Sequence, residues 1–328
     1  MSKATLGLVG DVMLGRHVSR AIPSHAPAWF WGDVLPKMTA ADAVIANLEC
    51  PITRHPKPWR EGVKTFRFKA DPAAAALLKA ANVRLVTLAN NHTLDYQARG
   101  LLDTLAHLDA AGIASVGGGA DSAAAAAPAL LKLGDVTLGV VGATDNMPEF
   151  AAQATLPGTS YMKIRDDAET LARIAATAKR LRAQGADLLL LSLHWGPNMR
   201  LKPSRRFQRF ARAVIERGVD IVHGHSAHVF QAIERHGCGI VLYDCGNFLD
   251  DYWKFPFRRT LWSFLFLLEI EERRLARLRL VPTHLQGPPV RLATGALSEQ
   301  ICARMEKLSA PHGTRFERDG EGLRLELS

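Results

Sequence analysis

The chain has 328 residues, enough for one large α/β domain with a deep core or for two small domains. Apolar residues make up 48% and charged residues 22%, the balance of a globular protein rather than a disordered one. The formal charge of +9 favours an anionic partner (phosphate, polycarboxylate, nucleic acid or acidic lipid) without choosing among them, and an Arg- and Ala-rich genome accounts for it equally well. Four scattered cysteines, Cys50, Cys238, Cys245 and Cys302, exclude a disulfide framework and a zinc-finger pattern.

Taken in order, the chain alternates short apolar runs with helical patterns. Continuous apolar runs at 5–9, 43–46, 84–88, 187–193 and 219–222 predict strands buried on both faces. Between them, 72–81, 99–111, 167–184 and 204–217 carry helical spacing, the second stopping at Gly112. Residues 120–127 are alanine-rich and predict a short helix or surface loop. Segments 229–233 and 240–243 predict a hairpin around Gly237, and 262–270 with 278–282 a second antiparallel pair. One further helix is expected at 298–308. This order predicts a layered α/β domain over 1–284, with a small C-terminal appendage over 285–328. The start runs straight into a strand with no signal-peptide pattern, and 262–268 is too short to span a bilayer, so no membrane span and a cytoplasmic location are expected.

The residues at the strand ends are more informative. Asp11, Glu49, Asn91, His194 and His225 each stand at or just past a predicted strand's C-terminal end, where α/β sheets gather their ligands. Each has an ordinary alternative: Asp11 as a helix N-cap, Glu49 as a surface carboxylate, Asn90-Asn91 as a turn, His194 as a hydrogen-bonded histidine under a loop. His223, His225 and His228, three histidines in six residues, are a poor choice for plain packing. Together these side chains suit a centre of two divalent ions with mixed nitrogen and oxygen ligation, of the Mn, Fe or Zn type.

In order, Gly10-Asp11, Asn47-Leu48-Glu49, Asn90-Asn91-His92, His194-Trp195-Gly196 and Gly224-His225-Ser226-Ala227-His228 resemble the signature blocks of the CapA family of poly-γ-glutamate (capsule) synthesis proteins. Tyr243 to Phe248 resembles the strand and GNF segment that comes next there. That family is similar to calcineurin-like metallophosphoesterases. The resemblance therefore implies a metallophosphatase-like four-layer α/β/β/α sandwich and a metal-dependent hydrolase. Carried over by position, Asp11 and His228 serve the first metal and Glu49 bridges. Asn91, His194 and His225 serve the second metal, and His92 is the catalytic non-ligand, with Asp95 placed to orient it.

Two departures fall on the first metal. Met13 stands where the phosphoesterase pattern has histidine, and the last block, GHSAH, is one residue longer than GHxH. His17 and His223 are the candidates to rebuild that site. Arg16, Asn47, Arg67 and Asn247 are candidate substrate contacts, with Lys69 beside them. The resemblance implies a γ-glutamyl polymer, the fold analogy a phosphoester. A non-catalytic assembly factor, binding a polyanion or a capsule-synthesis partner, is the competing expectation. No nucleic acid is expected, because no recognised binding module is present.

Overall fold

The structure is a computed structural model that describes residues 3–252 and 259–327. Two sheets lie face to face. In the first, Lys3–Val12 runs parallel to Ala43–Leu48, which leads on to Val83–Thr87 and Ala114–Val116. On its other side Lys3–Val12 pairs antiparallel with Trp262–Glu271, then come Arg274–His284, Gly322–Glu326 and Glu317–Asp319. The second sheet has the order Ile233–His236, Gly239–Leu242, Ile221–His225, Leu188–His194, Val136–Thr144, Ala129–Leu133.

The runs are continuously apolar because both faces of each sheet are covered. Between the sheets, Leu6, Leu8, Ile45 and Leu85 meet Leu138, Val140, Leu190 and Ile221 in one core. The alternate residues of the first sheet, Val44, Ala46, Val83 and Val86, pack outward with Leu77, Leu101 and Leu108 of the helices Ala74–Ala80 and Gln97–Ala111. On the far side Leu191, Leu193 and Val222 pack with Phe207, Phe210 and Val214 of Arg205–Ile215 and with Leu171 of Ala168–Ala183. This is the metallophosphatase-like four-layer α/β/β/α sandwich. Ser204 and Asp167 cap the last two helices by accepting from Phe207 N and Thr170 N, and Gly112 ends the Gln97–Ala111 helix at φ 72.

Two segments differ from expectation. Ala129–Leu133 and Val136–Thr144 form a hairpin that the alanine-rich approach and the interrupting Gly139 and Gly142 conceal in the sequence, yet Val136–Thr144 is a direct neighbour of Leu188–His194. The hairpin expected from 229–233 instead begins at Ile233, because a two-residue turn with Gly237 at φ 55 pairs His236 with Gly239. Beyond residue 285, Gly322–Glu326 extends the first sheet, and Ile301, Cys302 and Met305 of the helix Gly295–Ser309 enter the inter-sheet core.

At the edge of the second sheet Glu234 accepts from Arg212 Nε (2.7 Å) and Tyr243 Oη (2.6 Å), with His312 Nδ1 at 3.1 Å. Burial raises its pKa, but these partners outweigh burial and hold the carboxyl at about 2. A depressed carboxylate contributes stability above its unfolded pKa of about 4.5 and loses it as pH falls towards about 2. Glu234→Gln is expected to cost about 2 kcal/mol at pH 7 and to flatten the fall in stability between pH 5 and 2, as read from urea unfolding midpoints.

Candidate metal centre

The centre forms where the carboxyl ends of both sheets meet. Asp11 is in register with Asn47 on one side and with Asn247 of the short parallel strand Asn247–Leu249 on the other. This bracketing needs Gly10, where a Cβ would fall 1.8 Å from Gly246 O, and it lets Asp11 N donate to that carbonyl at 2.9 Å. In the second sheet His225 is in register with His194. His223 ties the sheets together by donating from Nε2 to Val9 O at 3.0 Å.

Two groups of ligand-type atoms converge: Asp11 with His194 and His225, and Asp11 with Glu49 and His228. Asp11 is the residue common to both, a position the resemblance gave to Glu49. All five side chains are buried. Asp11 Oδ1 accepts from Asn47 Nδ2 at 2.8 Å, while Oδ2 lies 3.1 Å from His228 Nδ1. Tyr252 Oη donates to Glu49 Oε2 at 2.9 Å. The extra residue of GHSAH is absorbed by left-handed backbone at Ser226 (φ 117) and His228 (φ 58). This fold-back places His228 Nδ1 2.9 Å from Asn247 Oδ1, to which it donates, and Nε2 3.9 Å from Glu49 Oε1.

The hydrogen bonds also fix which ring atoms are free. Since His223 Nε2 donates to a carbonyl, its Nδ1 accepts from Ser192 Oγ at 3.2 Å, and Ser192 in turn accepts from His225 Nε2 at 3.0 Å. His225 Nδ1 is thus left with its lone pair exposed. Asn47 Nδ2 sits 3.3 Å from His194 Nδ1, so that a lone pair faces it there too. These two ring nitrogens stand 2.9 Å apart, close enough to ligate one cation. Glu49 Oε1 and Asn91 Oδ1 are buried without a hydrogen-bond partner, and Asp11 Oδ2 is left with the His228 ion pair. The residues therefore fit divalent metal ions.

Electrostatics agree. Burial pushes Glu49 up to about 8, helped by the Asp11 charge, and pushes Asp244 to about 8 and Asp250 to about 7. Asp11, despite burial, is held below the usual range by His228 and Asn47. Burial drives His194 down to about 3, His223 to about 4 and His225 well below the ordinary value, leaving neutral imidazoles suited to ligation. His228 is the exception: burial lowers it, but Glu49 and Asp11 prevail and raise it to about 10. A bound cation reverses such carboxylate shifts by supplying the missing charge.

A cavity of ≈ 500 Å³ opens over the centre, lined among others by His92, His228, Asn247, Tyr252, Arg16 and Phe68. His92 Nδ1 donates to Asp95 Oδ2 at 2.6 Å; Asp95 also accepts from Phe68 N at 2.6 Å and pairs with Lys64 Nζ at 3.1 Å. His92 Nε2 is then the ring atom left for the cavity. Arg67 lies outside it, held by the backbone carbonyls of Trp59 and Lys64. Met13 is buried in the outer core and its sulfur accepts from Gly15 N. His17 is an exposed residue beside Asp251, and His223 stands behind His225 as the relay described above. Asp11 caps no helix and Glu49 is fully buried, so neither ordinary alternative holds for them.

Four contributors escaped the sequence reading: Lys64, Tyr252, Asp244 and Ser192. Asp244 accepts from Ala227 N and Gly246 N, pinning the GHSAH loop to the GNF segment. Its place inside Tyr243 to Phe248 was a usable signal. Lys64 and Tyr252 lie in irregular chain with no periodicity to mark them.

A family model described as "Bacterial capsule synthesis protein PGA_cap" matches residues 5–252. The "Capsule biosynthesis protein CapA" of Bacillus anthracis is 28% identical over 328 residues, 99% of this chain and 78% of that protein. A "Probable polyglutamine synthesis accessory protein" of Mycobacterium tuberculosis (strain ATCC 25618 / H37Rv) is 32% identical over 322 residues, 93% of this chain and 83% of its own length. Among solved structures, a hypothetical protein from Thermus thermophilus shares the fold, with TM-score 0.50 and 17% identity over 88% of this chain and 100% of that one. Among the described residues no helix is long and apolar enough to cross a membrane.

Proposed function

We propose that this chain, which belongs to the bacterial capsule synthesis protein PGA_cap family, is a hydrolase that uses two divalent metal ions to cleave an anionic substrate, a γ-linked glutamyl polymer ahead of a phosphoester. The observation that carries the reading is Asp11 shared by two ligand groups beneath a cavity that also holds the His92–Asp95 pair.

Bound at Asp11, Glu49, Asn91, His194, His225 and His228, such ions would supply Lewis acidity to a carbonyl or phosphoryl oxygen and acidify water at the site. The chain supplies the rest. Asn47, Tyr252 and Ser192 hold Asp11, Glu49 and His225 in one orientation each, the role that outer partners play around ligating side chains. Asp95 and Lys64 fix the His92 ring so that Nε2 meets the scissile bond, where it passes a proton to the leaving group. Arg16 and Asn247 line the same cavity and hold a carboxylate and an amide of the substrate. Phe66, Phe68 and Met199 exclude water around them. The capsule and polyglutamine synthesis names of the relatives favour the γ-glutamyl bond.

The test is hydrolysis by protein reconstituted with Mn, Fe or Zn, offered γ-glutamyl oligomers and an aromatic phosphodiester. Cleavage that is lost with a chelator and restored by metal is expected. Metal-loaded protein that cleaves neither class overturns the reading and favours a binding or assembly role.

A further inference from the structure

Beside the cavity lies an open cleft of ≈ 680 Å³, and Arg16 lines both. Arg16, Arg20, Arg54, Arg67 and Lys69 face this cleft, against one carboxylate, Asp71. The wall between the two spaces is the extended segment 66–69. Its side chains alternate: Phe66 and Phe68 line the cavity, while Arg67 and Lys69 line the cleft. Two of the cations, Arg67 and Lys69, are held in place, whereas Arg20 and Arg54 are exposed at the rim. Arg67 donates to Trp59 O and Lys64 O, and Lys69 Nζ donates to His55 O at 3.0 Å while lying 4.6 Å over the Tyr96 ring. Arg16 takes left-handed backbone (φ 50), and at Gly15 before it a Cβ would come within 2.9 Å of Lys69 O. That close packing sets the Arg16 side chain at the junction of the two spaces.

We infer that this cleft is a second binding region for the substrate, in which a chain bearing repeated carboxylates continues from the cavity past Arg16 and along the guanidinium and ammonium groups of the cleft. This rests on the hydrolase reading for the identity of what occupies the cavity. Arg16 is paired with Asp251 and Arg54 with Asp71, each at 3.6 Å, and the positive charge that remains along the cleft rewards a ligand with several charges spaced along its length, whereas a monomer reaches only Arg16. Single-stranded nucleic acid, the other extended polyanion, asks for aromatic faces on which bases stack. In the cleft the aromatic residue is Tyr96, whose ring is already covered by Lys69.

The experiment measures equilibrium binding of fluorescent γ-glutamyl dimer and decamer to the full chain carrying His92→Ala, which is expected to keep its metal while turnover is slowed, with and without Arg20→Glu/Arg54→Glu. The decamer is expected to bind at least about tenfold tighter than the dimer. In the double variant that ratio is expected to fall below about threefold, with a weaker dependence on salt. Equal affinities for dimer and decamer in the parent protein overturn the inference, as does a ratio that survives the substitutions. A single-stranded oligonucleotide of matched charge that outcompetes the decamer and is itself lost in the variant reassigns the cleft to nucleic acid. Folding of the variant is checked by its metal content. Because binding is read without turnover, failure here leaves the hydrolase reading standing, and absence of hydrolysis leaves the length effect intact.

Discussion

Asp11→Asn is expected to strip the protein of nearly all its divalent metal and to lower hydrolysis by about a thousandfold or more, a barrier increase of about 4 kcal/mol. The expectation comes from position. Asp11 alone belongs to both candidate ligand groups, so with two ions bound its charge would serve both, whereas His225 or Glu49 would serve one. His225→Ala is accordingly expected to leave about one ion per chain, and Asp11→Asn close to none. The amide keeps the shape of the side chain and one oxygen to accept from Asn47 Nδ2, so far-ultraviolet circular dichroism is expected to stay unchanged. If Asp11→Asn retains the metal content of the parent, the shared position is wrong. If His225→Ala empties both positions, the two groups are not separable sites.

His92→Ala is expected to lower kcat by about 10²–10⁴ while leaving metal content as in the parent protein. His92 appears in neither ligand group, and its Nδ1 is committed to Asp95, so its loss removes a proton donor rather than a ligand. Steady-state kinetics on a γ-glutamyl oligomer, with elemental analysis of the same preparation, separates the two roles. Metal lost together with activity would make His92 a ligand. Activity kept would make the cavity's histidine a bystander and return the site to a binding role. Asp95→Asn extends the test, because it leaves His92 in place but weakens the hydrogen bond and the Lys64 pair that orient it. A smaller loss than that of His92→Ala is expected.

The layered fold was legible because strands covered on both faces are written as unbroken apolar runs, and five of them ended in Asp11, Glu49, Asn91, His194 and His225. Val136–Thr144 was not legible, since its two glycines break the run that marked the others. Which strand lies beside which is a matter of long-range pairing. Nothing local to Asp11 says that Asn247 will flank it, although the GNF segment itself was visible. The same limit explains the sharing of Asp11: residue types and strand ends name the candidates, but only the meeting of the two sheets decides which candidate lies between the others. His223 illustrates the difference between proximity in sequence and role in space. One strand carries it with His225, yet its side chain reaches Val9 O across the sandwich and orients His225 through Ser192.

The most direct measurement is the divalent-metal stoichiometry of the unmodified protein by elemental analysis, after equilibration with Mn, Fe or Zn and removal of excess. The close approach of His194 Nδ1 and His225 Nδ1, the unpartnered oxygens of Glu49 and Asn91, and the sharing of Asp11 predict about two ions per chain. A protein that binds none under these conditions, while folded, would contradict a metal-dependent hydrolase at this site.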